Sequence, residues 1–240
     1  MANGRAFDDA VRIATATPGL GVGIHLSLVD EQSAARPADV RGLVDAHGRL
    51  PKDHRDLLLR WSLRQFGMRQ IRAEVTAQIS RVLEAGIKPT HLDSHQHLHL
   101  FPPILTIVLE AVANARIAVI RLPDDRSQGT GLKGIILARL SRQALSRVHG
   151  MGIHSVDHFW GLAHSGGMNE TNFFRLLERL KNGVNEIMCH PGFSDPATRA
   201  RYPWLYHWDD ETSALTSAKI RAYIQDNEIR LSSFRDAWEP

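Results

Sequence analysis

The sequence predicts an α/β protein with a mainly parallel sheet, either closed into a barrel or left open. Short apolar runs alternate along the chain with segments whose apolar residues recur at helical spacing. The chain has 240 residues, 43% of them hydrophobic, which suits one large globular domain with a substantial core. No internal repeat or low-complexity tract interrupts this pattern. We therefore predict a single domain over residues 1–240.

The first half of the chain contains two predicted strands and two predicted helices. Pro89 marks the start of the second strand, and Gly86 is a helix stop. Residues 31–67 form a long insertion with mixed signals, which we interpret as a lid or a substrate-facing excursion. The predicted elements are, in order, a strand over 19–28, a helix over 71–86, a strand over 88–95 and a helix over 104–115.

In the second half of the chain, predicted strands continue to alternate with predicted helices. Asn169 is placed to cap the helix predicted over 170–180. Pro191 ends the strand predicted over 185–190. Residues 124–131 are predicted as a loop. The predicted elements are a strand over 117–122, a helix over 131–148, a short strand within 154–161, a helix over 170–180, a strand over 185–190, a helix over 213–225 and a last strand over 228–234.

Composition argues against several classes of function. The net charge of +3 comes from 29 basic and 26 acidic residues without a dense basic tract, so we expect no nucleic-acid partner. The single cysteine, Cys189, excludes a disulfide within the chain and fits a reducing compartment. No apolar run approaches the roughly 20 residues of a membrane span. The start, "MANGRAFDDA", has no signal-peptide core, so we expect a cytoplasmic protein.

The stretch "THLDSHQHLHLFPP" concentrates four histidines around one carboxylate. On a strand, His91, Asp93 and His95 share one face, while His97 and His99 fall in the loop that follows. Imidazole and carboxylate groups bind zinc and other divalent ions, and a catalytic site keeps one position open for water. The stretch therefore predicts a metal or catalytic site, with a solvated polar loop as the alternative.

Three predicted strands end in histidine, at His25, His95 and His190. Active sites of barrels and open α/β sheets gather at the carboxyl ends of strands, so these histidines are expected to converge. The alternatives are a core histidine for His25 and a turn histidine for His190. Asp93 is a candidate to orient a ligating histidine, and Cys189 is expected to pack on the opposite face from His190.

Three motifs, "GVGIHLSL", "KPTHLDSHQHLHLFPPI" and "EIMCHPGF", resemble those of the YdjC-like carbohydrate deacetylases. Two weaker segments, "NGRAFDDAVRIA" and "VRGLVDAHGRL", resemble the hopanoid-biosynthesis-associated branch of that family. The resemblance implies a (β/α) barrel-like, TIM-barrel-like fold and removal of an N-acetyl group from an amino sugar. The implied substrate is a chitooligosaccharide or a glycosylated hopanoid lipid.

The resemblance also implies one divalent metal ion, Mg2+ or Zn2+. Carried onto this sequence, His25 and His95 are the metal ligands, and His190 is a catalytic histidine. Arg121 falls where the family often has an arginine near the site, and Asp93 completes our predicted catalytic set. A lipid substrate would bring peripheral contact with a membrane, and the family suggests a homodimer.

The family normally opens with a strand ending "ADDFG", which supplies a metal-binding aspartate and a candidate base. This chain starts at "MANGRAF", so we expect the first strand–helix unit to be missing, through a misplaced start or a truncation, and the activity of the chain is left open. Two other functions remain. One is a binuclear amidohydrolase-like or phosphoesterase-like metal hydrolase that uses His97 and His99. The other is a non-catalytic degenerate barrel that acts as a partner protein.

Overall fold

The structure is a computed structural model that describes residues 1–125, 130–202 and 204–238. The predicted loop over 124–131 therefore lies partly outside the described residues. The chain divides into two compact units. The first contains Met1–Arg121, Arg142–Ser155 and Ser233–Pro240; the second contains Leu122–Ser141 and Val156–Ser232. The single domain stays a prediction.

Short strands are interleaved with longer helices, although the predicted alternation is incomplete. The strands are β1 Ile24–Leu26, β2 Leu92–Ser94, β3 His158–Trp160 and β4 Asn185–Ile187. The helices are α1 Phe7–Ala16, α2 His54–Ser62, α3 Met68–Glu84, α4 Pro102–Asn114, α5 Gly131–Gly150, α6 Glu170–Leu177, α7 Pro196–Arg201, α8 Trp208–Leu215, α9 Ala218–Asp226 and α10 Phe234–Trp238. Short 3-10 segments cover Pro37–Asp39, His95–Leu100 and Leu162–His164. Among the described residues, α7 to α10 follow β4 without a further strand.

The first unit contains a parallel pair, β1 and β2, in which His25 lies opposite Asp93. Single parallel bridges extend the pairing from Leu92 to Ile120 and from Val119 to His154. The predicted strand over 19–28 is shorter than expected because its end leaves the ladder. There the backbone N–H of Ser27 donates to the side chain of Gln78 on α3 instead of to a strand.

Helices α3 and α4 pack together in the first unit and confirm the two helices predicted there. Their apolar faces are buried, including Val75 on α3 and Val108 on α4. Gly86, just after α3, has a φ of +78°, the left-handed conformation that ends helices and that glycine adopts without strain.

The second unit contains the parallel pair β3 and β4. The predicted cap of α6 is confirmed, because Asn169 Oδ1 accepts the backbone N–H of Asn172 at 3.0 Å. A buried cluster joins the strands to the helices; it consists of Trp160, Met168, Phe173, Leu176, Leu177, Ala214 and Ile220.

Some predicted elements are wrong. The helix predicted over 213–225 is two helices, because Ser217 interrupts it and its Oγ accepts the N–H of Ile220 at the start of α9. The strand predicted over 228–234 is absent from these described residues: Glu228 has a left-handed φ of 53°, and α10 begins at Phe234. The strand predicted over 117–122 is reduced to bridges at Val119 and Ile120.

The strand pairs in the described ranges do not close a barrel. The observed fold is therefore α/β with parallel pairs, and the TIM-barrel-like closure stays a prediction. Over the same ranges, every helix is too short or too polar to cross a lipid bilayer.

Candidate active site

The parallel register of β1 and β2 brings His25 and Asp93 together. The sequence predicts both as site residues. Nδ1 of His25 lies 2.7 Å from Oδ1 of Asp93, so the ring donates its Nδ1 proton to the carboxylate. The Asp93 side chain is 7% exposed and that of His25 is 36% exposed. This hydrogen bond fixes the ring orientation and leaves Nε2 as the nitrogen that can bind a ligand.

Arg121 occupies the other oxygen of the same carboxylate. Its backbone N–H donates to the carbonyl of Leu92 at 3.0 Å, and its Nη1 donates to Asp93 Oδ2. Burial raises the pKa of Asp93, but the charges of His25 and Arg121 outweigh that effect, so its pKa lies well below the usual value. Asp93 therefore remains a carboxylate across the physiological pH range.

His95 follows β2 directly and faces His25. The two ring centroids lie 5.9 Å apart, with an angle of 67° between the ring planes. The next two residues, Gln96 and His97, have left-handed φ values of 54° and 58°. Such a conformation costs about 1–3 kcal/mol for a residue other than glycine, and this kind of strain concentrates at functional sites.

Gln96 ties this strained turn to the long insertion. Its Oε1 accepts the backbone N–H of His54 at 3.1 Å and the Nδ1–H of the same residue at 2.7 Å. Its amide nitrogen lies 3.5 Å from Nε2 of His95. The start of α2 is therefore attached to the turn that carries His95, although the insertion's role as a lid stays a prediction.

His99 is a buried support rather than a candidate ligand. Its Nε2 donates to the carbonyl of Arg121 at 2.8 Å, so Nδ1 accepts from the Ser94 hydroxyl at 2.6 Å. Burial lowers the pKa of His99 to about 4, which keeps the ring neutral. Because both nitrogens of His99 are occupied, the geometry disfavours the binuclear alternative. The solvated-loop alternative is wrong, since His97 and His99 are both buried.

His91 packs against Phe234 and Gly23. Its ring lies 4.0 Å from the ring of Phe234 between centroids, and it covers Gly23 so closely that a Cβ there would lie 2.3 Å from Nε2. Burial lowers the pKa of His91 to about 4. His91 nevertheless lies near enough to Asp93 to interact with its charge, so its place on one face with Asp93 and His95 stays a prediction.

His190 lies in the second unit, three residues after β4. Its backbone N–H donates to Oε2 of Glu211 on α8, whose other oxygen accepts the N–H of Met168 at 3.3 Å. Glu211 is 1% exposed. Sequence reasoning missed it, because an acidic residue in the first turn of a helix is normally read as an exposed dipole partner. Cys189 packs against the buried cluster, as predicted.

The residues of the first unit have part of the geometry that a metal site requires. Metal–imidazole bonds of about 2.0–2.1 Å place two rings on a shared ion with centroids roughly 5–6 Å apart. The separation of His25 and His95 agrees with that range, and Asp93 stands where a ligating histidine usually finds its orienting carboxylate. Among the described residues, no group of three or more His, Cys, Asp or Glu side chains is arranged around one point. The fit is therefore limited to two ligands and their orienting group.

Together these features define an α/β protein with a histidine–aspartate site at and just beyond two parallel strands. The chain belongs to the YdjC-like protein family, whose model matches residues 1–226.

Proteins named carbohydrate deacetylase are similar over almost the whole chain. The one from Brevibacillus brevis is 32% identical over 237 residues, covering 98% of this chain and 86% of its own. The one from Geobacillus stearothermophilus is 28% identical over 243 residues, covering 100% of this chain and 85% of its own.

A solved structure shares the fold. The crystal structure of a proposed cellobiose-phosphate cleavage protein from Enterococcus faecalis V583 superposes with a TM-score of 0.76 at 20% identity. It covers 98% of this chain, and this chain covers 85% of it. At this identity the match shows the α/β fold alone.

Proposed function

We propose that the chain is a carbohydrate deacetylase, which hydrolyses the N-acetyl group of an amino sugar. The observation that carries this proposal is the geometry of His25, Asp93 and His95, because it combines two facing imidazoles with a buried carboxylate that orients one of them. Membership of the YdjC-like family and the names of the relatives point to the same chemistry.

His25 and His95 would hold a divalent metal ion, Zn2+ or Mg2+, through imidazole nitrogens. Such an ion, when bound, polarises the acetyl carbonyl and lowers the pKa of bound water. Imidazole ligands suit Zn2+ better than Mg2+, which prefers oxygen. The chain's own contribution is to fix the His25 ring through Asp93 and to hold His95 on a strained, tethered turn.

Asp93 is better suited to orient His25 than to act as the general base. A base needs a pKa near the working pH, and the charges around Asp93 hold its pKa well below the usual value. Arg121 supplies part of that charge, and its own position depends on the buried ring of His99. We therefore assign Asp93 and Arg121 to positioning and not to proton transfer.

His190 is our proposed proton donor to the leaving amine. Imidazole is the side chain best suited to exchange a proton close to neutral pH. The support lies in its position after a strand of the second unit and in the buried carboxylate of Glu211 that fixes its backbone. Replacement of His190 by alanine is expected to reduce deacetylation at least about a hundredfold.

The substrate is either a chitooligosaccharide or a lipid that carries an N-acetylated sugar, such as a glycosylated hopanoid. The hopanoid proposal rests on two sequence segments, "NGRAFDDAVRIA" and "VRGLVDAHGRL". It would add peripheral contact with a membrane surface, and a homodimer is also proposed from the family resemblance. Parallel assays on a soluble oligosaccharide and on the glycolipid in detergent separate the two substrate classes.

The proposed function is tested by acetate release from N-acetylated sugars. Wild-type protein is assayed with added Zn2+ or Mg2+ and after chelation, beside His25→Ala, His95→Ala and the exposed control His47→Ala. The proposal predicts acetate from the wild type and the control only, and loss on chelation. A chain that folds but releases no acetate with either metal from either substrate class would favour the non-catalytic partner instead.

A further inference from the structure

Helix α5 carries an exposed group of aliphatic side chains in the second unit. Leu132, Ile135 and Ile136 are 73%, 63% and 50% exposed. Their spacing of three and four residues places them side by side on one face of the helix. Single exposed aliphatic residues are common at protein surfaces, but a contiguous group of this kind is typical of an interaction site. We call Leu132, Ile135 and Ile136 the apolar stripe.

The inward face of the same part of α5 is made mainly of small residues. Ala138 and Ser141 are buried, together with Gly134 and Leu137. A surface helix normally turns its larger apolar side chains towards the core and its polar ones towards water. Here two isoleucines and a leucine point outward, while a glycine, an alanine and a serine point inward. Packing of the fold therefore does not account for the apolar stripe.

The start of α5 holds the apolar stripe on a closed helical turn. The backbone N–H of Gly134 donates to the carbonyl of Thr130 at 3.1 Å. The Thr130 side chain lies over Gly134 so closely that a Cβ there would be 2.1 Å from the Cβ of Thr130. Leu132 lies between these two residues, so the stripe begins within this turn and keeps helical geometry.

The charge of α5 indicates what the apolar stripe contacts. Over Gly131–Gly150 the helix contains one lysine and three arginines but no aspartate or glutamate, although the whole chain has 26 acidic residues. Arg139 is exposed, and it follows Ile135 and Ile136 by four and three residues, on the same face of the helix. An anionic surface with an apolar layer beneath it complements this combination.

We propose that residues 131–141 of α5 dock on a membrane surface that contains anionic lipids. The apolar stripe enters the outer part of the acyl layer, while Arg139 lays its aliphatic stem along the stripe and its guanidinium among the lipid phosphates. Each cationic side chain near such a surface raises the affinity about fivefold. This docking goes beyond the proposed function, because it needs neither a catalytic residue nor a particular sugar.

A second copy of the chain fits the apolar stripe less well. Face-to-face packing of two such helices brings Lys133 and Arg139 of one copy towards the same residues of the other, and α5 has no acidic residue to pair with them. A nucleic acid also fits poorly, since aliphatic side chains offer neither base stacking nor hydrogen bonds. An anionic bilayer supplies acyl chains and phosphates together.

The test is cosedimentation of the full chain with lipid vesicles. The wild type is expected to bind vesicles of equal parts phosphatidylcholine and phosphatidylglycerol, and to bind much less to pure phosphatidylcholine or in high salt. The double substitution Ile135→Gln/Ile136→Gln should weaken binding at least about tenfold, because it removes two inserted aliphatic side chains and introduces a good helix former. Arg139→Gln should weaken binding about fivefold. Ile136→Leu should bind as the wild type does.

Two matched controls lie elsewhere in the second unit. Leu215→Gln removes an aliphatic side chain that is 45% exposed, from α8, whose first turn is acidic. Arg221→Gln removes one exposed positive charge from α9. Both variants should bind the anionic vesicles as the wild type does, because neither change touches the apolar stripe or Arg139.

Vesicle binding is measured without sugar or metal, so it can succeed where acetate release fails, and acetate release can succeed where vesicle binding fails. Equal affinity of the wild type and the double variant for anionic vesicles would overturn the proposal, as would equal affinity of the wild type for anionic and neutral vesicles. A concentration-dependent dimer that the double variant loses would assign the apolar stripe to a second copy of the chain and would also overturn it.

Discussion

At the scale of single residues, Asp93 links the two sides of the site in the first unit. One oxygen receives the Nδ1 proton of His25 and the other receives the guanidinium of Arg121. The sequence indicated the importance of Asp93, because side chains alternate between the two faces of a strand and Asp93 was predicted on one face with His91 and His95. It could not show the partners, because they come from segments 68 residues before it and 28 residues after it.

Replacement of Asp93 by asparagine is expected to lower both activity and stability. Loss of an orienting carboxylate typically reduces metal affinity or activity about 10–100-fold. The buried guanidinium of Arg121 also loses its ion pair with this carboxylate, which costs up to roughly 3–5 kcal/mol of unfolding free energy. Urea unfolding and acetate release measure the two effects. Asp39→Asn is the control, because its ion pair with Arg36 is largely exposed and contributes below about 1 kcal/mol.

His99 predicts how stability depends on pH. Its folded pKa of about 4 lies below the ordinary value of 6.5, so the unfolded chain binds more protons between these values. The contribution of this neutral ring is therefore complete above about pH 6.5 and is lost as the pH falls towards 4, by at most roughly 1.4 kcal/mol per pH unit.

The measurement for His99 is urea unfolding between pH 7.5 and 4.5. The slope of stability against pH should be smaller in His99→Gln than in the wild type, although that variant is less stable overall. His47→Gln should keep the wild-type slope, because His47 is exposed. Equal slopes in His99→Gln and the wild type would contradict a neutral buried ring.

At the scale of elements, close contacts between the backbone and distant side chains determine where the short strands begin and end. The approach to β1 passes under the ring of His91, and Gly23 is the residue that permits this contact. Apolar runs predicted that strands exist, but they could not predict that each ladder covers only three residues. The strand ends depend on distant side chains, such as Gln78 at Ser27.

Gly23→Ala is expected to destabilise the first unit by about 1–3 kcal/mol. The added Cβ would lie 2.3 Å from Nε2 of His91, so the ring, which also contacts Phe234, must shift. Thermal unfolding is the readout. Gly19→Ala is the matched control, because nothing lies within 4 Å of the corresponding Cβ. Equal unfolding temperatures for the two variants would argue against the contact.

Helices were more predictable than strands because their signals are local. Helix α3 follows from apolar spacing and a glycine stop, and α6 follows from the Asn169 cap. The predicted helix over 213–225 was wrong because Ser217 favours a cap over a helix interior. Glu211 was missed for a different reason, since its partners are backbone N–H groups that no sequence pattern identifies.

Glu211→Gln is expected to destabilise the second unit by about 1–3 kcal/mol and to reduce activity. Two backbone N–H groups need its two oxygens, and glutamine offers only one acceptor, so one buried donor loses its partner. Chemical unfolding measures this effect. Glu170→Gln is the control, because Glu170 also lies in a first helical turn but its side chain is 42% exposed, with Lys219 at 3.9 Å. A change of the same size in both variants would contradict the proposed role.

At the scale of the whole molecule, composition and element order predicted the α/β class, and the motifs predicted the YdjC-like family. The central claim is that His95 and His25, whose ring Asp93 orients, bind one shared metal ion. Calorimetric titration of the metal-free chain with Zn2+ tests it most directly. The account predicts one ion per chain, at least tenfold weaker binding in His25→Ala and His95→Ala, and unchanged binding in His47→Ala. Wild-type affinity in both site variants, or two ions per chain, would contradict it.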